Sequence, residues 1–489
     1  MHRPLVIVLS AWATTVSAQE PVDRAAIAQI NAEGFNRSSR VSELFDHLTN
    51  VIGPRLTGSP AFRQAVDWSA ERFRELRLAN VHTEAWPFGR GWTLEKLTLE
   101  MAEPRYFPLI GYPEAWTPST RAELLATPVY IGDWTAEQVR ARKAELAGKI
   151  VLPWQPQGAF ITEDRPQPTD HQERVRIGAP PNVGTTGPVA RREMGALMRE
   201  VGAAVVLQPN QGQHGTAFVL GNRNTRDDAA PSVILASEHY NLIVRMLQAK
   251  LPVKLRVDVQ TRYHTADTSG YNVIGEIPGS DPRIGDEVVM VGAHLDSWHS
   301  ATGATDNADA AASLIEAARI LQALGLRPRR TIRFALWGGE EQGLLGARAY
   351  VGQHLAGDAN AAAREKFSVY FNHDPGTGPI YGWYLEENQA VKPIFDAWLE
   401  PLTDIGVRRN VVDKIGSTDH LAFIAAGVPG FNSVQDYREY DVRTHHTNTD
   451  FYERLNLIDL QEAAVVLATF AYQAAMRDAP IPRGGPPRP

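Results

Sequence analysis

The chain has 489 residues, room for about three domains at roughly 150 residues each. Hydrophobic residues make up 43% and charged residues 21%, enough apolar surface to build cores and exclude global disorder. With 49 Lys and Arg against 56 Asp and Glu, the net charge of -7 lacks the positive surface that nucleic acid or anionic membranes select. There is no cysteine, which excludes a disulfide scaffold, a Cys nucleophile and thiolate metal sites. Any metal must be held by His nitrogen and carboxylate oxygen.

The N-terminus reads Met1-His2-Arg3, an apolar stretch from Leu5 to Trp12, then Val16-Ser17-Ala18. This is the pattern of an export signal cleaved after Ala18, and it is too short to span a bilayer. From Gln19 to Glu103 the pattern is mainly helical, with apolar periodicity in 41–51 and, after the turn Gly58-Ser59-Pro60, in 61–76. Strand-like runs follow at 80–86 and 94–101. Near Tyr106 the texture changes to short β-rich pieces separated by Pro, Gly and Gln-rich loops, which reads as an insert over 106–265.

From Tyr271 strands and helices alternate: strand 287–293, helix 309–324, strand 331–337, helix 344–354, strand 367–372 and a last helix 459–477. That order predicts an α/β domain with a mostly parallel mixed sheet sandwiched by helices. The division expected is a signal peptide 1–18, a split catalytic domain 19–105 and 266–478, the insert 106–265, and a disordered Pro/Gly/Arg-rich tail 479–489.

Polar residues with metal-ligand chemistry gather where these strands end, the place where open sheets bind ligands. The first strand runs into His294-Leu295-Asp296, where Asp296 can hold the imidazole in one tautomer. Twelve residues later Asp306-Asn307 precedes an Ala-rich helix, and either could simply cap it. The second strand ends in Glu340-Glu341, paired carboxylates that repel unless a cation compensates or water solvates them. The third ends in His373-Asp374, and a late element carries His445-His446-Thr447-Asn448-Thr449-Asp450.

The ordered set resembles the M28 family of zinc peptidases, whose ligands arrive as His-x-Asp, Asp before Asn or Asp, Glu-Glu, a strand-end Asp, and His-Thr-x-x-Asp. Supporting stretches are Ile52 to Ser59 and Ser417-Thr418-Asp419-His420-Leu421-Ala422-Phe423. His294-Leu295-Asp296-Ser297-Trp298 and the insert with Leu146-Ala147-Gly148-Lys149-Ile150-Val151-Leu152 look most like the carboxypeptidase Q branch, and the insert is similar to a protease-associated domain. The resemblance implies two zinc ions per chain, one on His294 and Asp374, the other on Glu341 and His446, with Asp306 between them. It implies Glu340 as general base and acid toward a metal-activated bridging water, Asp296 orienting His294, and Asp306–Asn307 as a candidate cis peptide.

His445 is the alternative to His446; the Thr447 and Asp450 spacing favours His446. His299, His373, His420 and Trp298 match no ligand step, leaving substrate contact and packing both open. The implied function is an exported di-zinc exopeptidase acting on dipeptides or short peptides, of carboxypeptidase or dipeptidase type. The alternatives are an aminopeptidase, a metal-free receptor-like relative, and a single-zinc glutaminyl cyclase-like enzyme. Expected partners are peptide substrates, with no nucleic acid or membrane, and the insert would shape the entrance, limit substrate length or support a homodimer.

Overall fold

The structure is a computed structural model that describes residues 20–168, 187–374 and 376–484. The expected signal peptide and its cleavage point lie outside the described residues. Seven strands form the main sheet: β1 (Ala79–Pro87), β2 (Ser269–Ile277), β3 (Val288–His294), β4 (Thr331–Trp337), β5 (Phe367–Asn372), β6 (Ile380–Tyr384) and β7 (Gly430–Gln435). Their spatial order is β1-β2-β4-β3-β5-β7-β6. The central strands β4, β3, β5 and β7 pair in parallel, and the pairings toward both edges are antiparallel. The sheet is therefore mixed, with its parallel part at the centre.

Burial explains the central strands. Every residue of β3, β5 and β7 is buried, so these strands read as continuous runs rather than alternating ones, as a sheet covered on both faces requires. Val289, Val291, Phe334, Leu336 and Phe371 face a core shared with helices Pro60–Glu75, Asp309–Ala323 and Leu457–Met476. Met290, Ala335, Trp337 and Tyr370 face the other side, where Leu345–His354 and His420–Ala425 pack. The helix Pro60–Glu75 follows the expected turn, with Ser59 Oγ capping it by accepting from the Phe62 amide at 3.1 Å and Pro60 in the first turn.

A second lobe holds two further sheets. Gly91–Glu103 and Lys254–His264 form a long antiparallel ladder, flanked by Phe107–Pro108 and Leu124–Ala126. The third sheet runs Gly111–Pro113, Ser232–Leu235, Val205–Gln208, Ile150–Leu152, Val129–Tyr130, parallel except at its first pair. Two differences from the sequence expectation follow. The change of texture at Tyr106 falls inside the second sheet, because hydrogen bonding takes Gly91–Glu103 away from β1 and pairs it with Lys254–His264. The region is also less purely β than expected: Ser237–Gln248 buries Tyr240, Ile243 and Val244 and, with Arg191–Val201, packs on the third sheet at helical spacing.

The tail departs from expectation too. Ile481 is buried, its amide donates to Ser368 Oγ at 3.2 Å, and Arg483 donates to the carbonyls of Phe367, Arg364 and Gly427. Residues 479–484 are held by these contacts, and 485–489 lie outside the described residues. No helix among the described residues is long and apolar enough to cross a membrane.

Candidate metal centre

The parallel strands deliver their polar ends to one place. His294 closes β3, and its Nδ1 lies 3.0 Å from the Asp296 carbonyl. A carbonyl can only accept, so Nδ1 carries a proton and, in the neutral ring, leaves Nε2 as the inward-facing acceptor. Nε2 lies 3.2 Å from Asp306 Oδ1 and 3.7 Å from Asp374 Oδ1. From the opposite side His446 Nε2 lies 3.3 Å from Asp306 Oδ2 and 2.8 Å from Glu341 Oε2. Asp306 thus stands between two imidazoles, and the peptide to Asn307 is cis. All five expected ligand positions come together.

His445 stacks its ring on Tyr440 and leans toward Asp441, 3.8 Å from Nδ1 to Oδ1. It nevertheless reaches the rim of the cluster, forming with Asp306 and His446 a second group of convergent donor atoms beside His294, Asp306 and Asp374. A small cavity opens here, lined by Trp298, Ser300, Asp306, Glu341, His446 and Asp450. Trp298 sets its indole edge-on to His446 and so walls this cavity.

The electrostatics are those of a site short of positive charge. Burial works against a proton on His294, yet Asp374, Asp296 and Asp306 raise its pKa well above the ordinary value. The same contest lifts His446 to about 9, burial opposing and Glu341 and Asp306 prevailing. Burial, reinforced by Asp306, pushes Glu341 to about 7. Burial likewise pushes Glu340 well above the usual carboxylate range; His294 opposes this, and Asp374, Asp419 and Glu341 add to it. Burial opposes ionisation of Asp306 as well, but His294 and His446 hold it well below that range.

Several inward atoms have no hydrogen-bond partner: His294 Nε2, Asp306 Oδ2 and Glu341 Oε1. Buried polar atoms are ordinarily satisfied, so this convergent set fits cations of the kind that take imidazole and carboxylate.

Asp296 meets His294 twice: its carbonyl accepts from Nδ1, and Oδ1 of its side chain lies 3.7 Å from the same nitrogen. The carboxylate also accepts from the Glu340 amide at 3.2 Å and from Thr57 Oγ1 at 2.9 Å. The rotamer is claimed by two donors on other segments, which a spacing of two residues could not foretell.

Three participants were missed. Thr57 links Asp296 to the Gly339 amide. Arg55, fully buried, gives its guanidinium to the carbonyls of Leu48, Gly53, Leu295, Thr302 and Gly303. Asp419 is buried with both carboxylate oxygens unpartnered, close enough to His294 and Asp374 to feel their charge. All three lie in stretches the sequence marked, but nothing in a linear string says which side chain meets which backbone group. Of the other histidines singled out by the sequence, His299 Nε2 meets the Pro113 carbonyl, His373 Nδ1 meets Ser433 Oγ, and His420 Nε2 meets Glu386.

Against known proteins, the profile of Peptidase family M28 matches residues 272–471. Carboxypeptidase Q from Pongo abelii is 26% identical over 461 residues, spanning 93% of this chain and 90% of its own. The crystal structure of a peptidase M28 precursor from Shewanella amazonensis superposes with a TM-score of 0.71 at 26% identity, covering 95% of this chain and 99% of that one. A zinc aminopeptidase from Bacillus subtilis shares the fold with a TM-score of 0.61 at 20% identity, covering 90% and 95%. Residues 272–471, which carry all five of these inward-facing groups, are a Peptidase family M28 domain.

Proposed function

We propose that the chain is a di-zinc exopeptidase in which His294 and Asp374 hold one zinc, Glu341 and His446 hold the other, and Asp306 serves both. The observation that carries this reading is Asp306 at 3.2 Å and 3.3 Å from two opposed imidazole nitrogens, with the inward atoms His294 Nε2 and Asp306 Oδ2 unpartnered. Zinc, when bound, supplies Lewis acidity toward a carbonyl oxygen and toward water.

The chain's own groups do the rest. Glu340, at the mouth of the turn after β4, takes the proton of the attacking water and hands it to the departing amine. Asp296 and Thr57 hold the Glu340 backbone so that its carboxyl stays beside the reacting atoms. Trp298 shields the His446 side from bulk water. Likeness to carboxypeptidase Q across 93% of the chain supports cleavage at a free C-terminus or of dipeptides.

Elemental analysis checks the count, with two zinc ions per chain expected. Glu340→Gln should keep both metals and lose about 10²–10⁴-fold in turnover. Matched peptides settle direction: C-amidation should abolish cleavage while N-blocking spares it, and the reverse pattern would make the enzyme an aminopeptidase. We further propose export after cleavage at Ala18, checked by the N-terminal mass of the mature chain. The second lobe is proposed to be an inserted, protease-associated-like unit bounded near 88 and 268, where backbone pairing passes from the main sheet to the Gly91–Glu103 ladder.

A further inference from the structure

The Val219 amide donates to the carbonyl of His446 at 2.9 Å. Phe218 and Thr447 form an antiparallel bridge, the Asn448 amide donates to the Ala217 carbonyl at 3.1 Å, and Asn448 Oδ1 accepts from the Ala217 amide at 2.6 Å. Residues 217–219 of the second lobe therefore run as a short strand against the 446–448 segment of the main lobe.

The segment before His446 is held the same way. The backbone amide and Nε of Arg165 both donate to Asp441 at 2.8 Å, and its guanidinium lies over Tyr437 and Tyr440 at 5.0 and 5.4 Å. Asp164 accepts from the amides of Glu439 and Val442. Between these anchors His446 adopts a φ of 59°, the left-handed region that a residue with a Cβ enters only when its surroundings demand it. His294 differs, because β3 and the Asp296 carbonyl position it wholly within the main lobe.

We propose that the second lobe is a positioning element for one half of the metal centre: the 217–219 edge, with Arg165 as brace and Asn448 as clamp, sets the place of His446. This rests on the reading of His446 as a metal ligand. A shift of the lobe would then loosen the Glu341 and His446 site while leaving the His294 and Asp374 site as it is. The lobe gains a role in the chemistry without contributing a ligand.

The test is zinc affinity of the full chain, measured by competition with a chromophoric chelator and fitted to two sites, beside thermal unfolding of the metal-free protein. Asn448→Ala and Arg165→Ala should each weaken one site by about 10–100-fold and leave the other unchanged, the range seen for groups that orient ligands. Asn448→Asp, which keeps an acceptor for the Ala217 amide, should restore affinity. Arg140→Ala, on the outer helix Ala136–Ala141 of the same lobe, should change neither site. If truncation unfolds the chain, Arg165→Lys, which keeps the charge but not the fork, provides the same comparison.

Wild-type affinity at both sites in the Asn448 and Arg165 variants overturns the inference, and so does equal weakening of both sites, which marks general destabilisation. A wild-type chain that takes up no zinc overturns the reading of the site itself, and this inference with it.

Discussion

Thr57 and Asp296, 239 residues apart in sequence, are joined by a 2.9 Å hydrogen bond from the threonine hydroxyl to Oδ2. The same hydroxyl accepts from the Gly339 amide at 3.0 Å, and Asp296 Oδ1 accepts from the Glu340 amide at 3.2 Å. Three segments are locked around the turn that presents Glu340, and the lock is buried.

Thr57→Val should therefore act on turnover more than on metal. It leaves Asp296 short of a donor in a buried setting, a loss of about 1–3 kcal/mol. The expected outcome is kcat down by about tenfold with KM and zinc content little changed. Thr57→Ser should recover most of the rate. Steady-state kinetics with zinc analysis decide it, and a variant with wild-type kcat would remove Thr57 from the machinery.

Arg55 should prove indispensable to the fold around the site. Its donors meet five backbone carbonyls, and burial pulls its pKa down to about 10 although Asp450, Asp296 and Asp306 work the other way. Lysine offers fewer donors and no planar fork, so Arg55→Lys should cost on the order of 3 kcal/mol. Denaturant unfolding of the metal-free chain measures this directly.

Zinc uptake should weaken in acid. In the metal-free chain His446 releases its proton at about 9, and a histidine binds metal only when neutral. Below that value protons compete, so affinity at the Glu341 and His446 site should rise with pH and level off above about 9, by roughly tenfold per unit for this group. Competition titrations at several pH values read the slope. A flat profile would contradict the protonated state assigned to His446.

Away from the site, Glu462 gives a pH test of stability. It is buried in the last helix with Oε1 unpartnered, and burial, with Asp459 adding, raises its pKa to about 9 from an ordinary 4.5. The folded state then binds a proton that the unfolded state has lost between those values. Stability from this group is present below about 4.5 and falls as pH rises toward 9. Glu462→Gln should raise Tm clearly at pH 8, by up to about 5 kcal/mol equivalent, and hardly at pH 5.

What the sequence determined by itself was the donor set and where it would appear. β3, β4 and β5 are largely apolar strands that open into His294, Gly338-Gly339-Glu340-Glu341 and His373-Asp374 at their C-terminal ends, and parallel strands place equivalent ends side by side. That placed His294, Glu341 and Asp374 at one edge of the sheet, and the family resemblance singled them out as the donor set. Local structure was equally legible where short-range signals sufficed, as in the turn at Gly58-Ser59-Pro60 before the helix Pro60–Glu75.

Tertiary structure alone decided what depends on partners far along the chain. Gly91–Glu103 could have extended the main sheet, yet it pairs with Lys254–His264 in a separate sheet. Asp296 has two oxygens and one neighbouring histidine, but Thr57 and the Glu340 amide claim them. His446 owes its place to Val219 and Asn448 to Ala217, contacts that a one-dimensional pattern does not encode because hydrogen-bond geometry is set only when separate lobes meet.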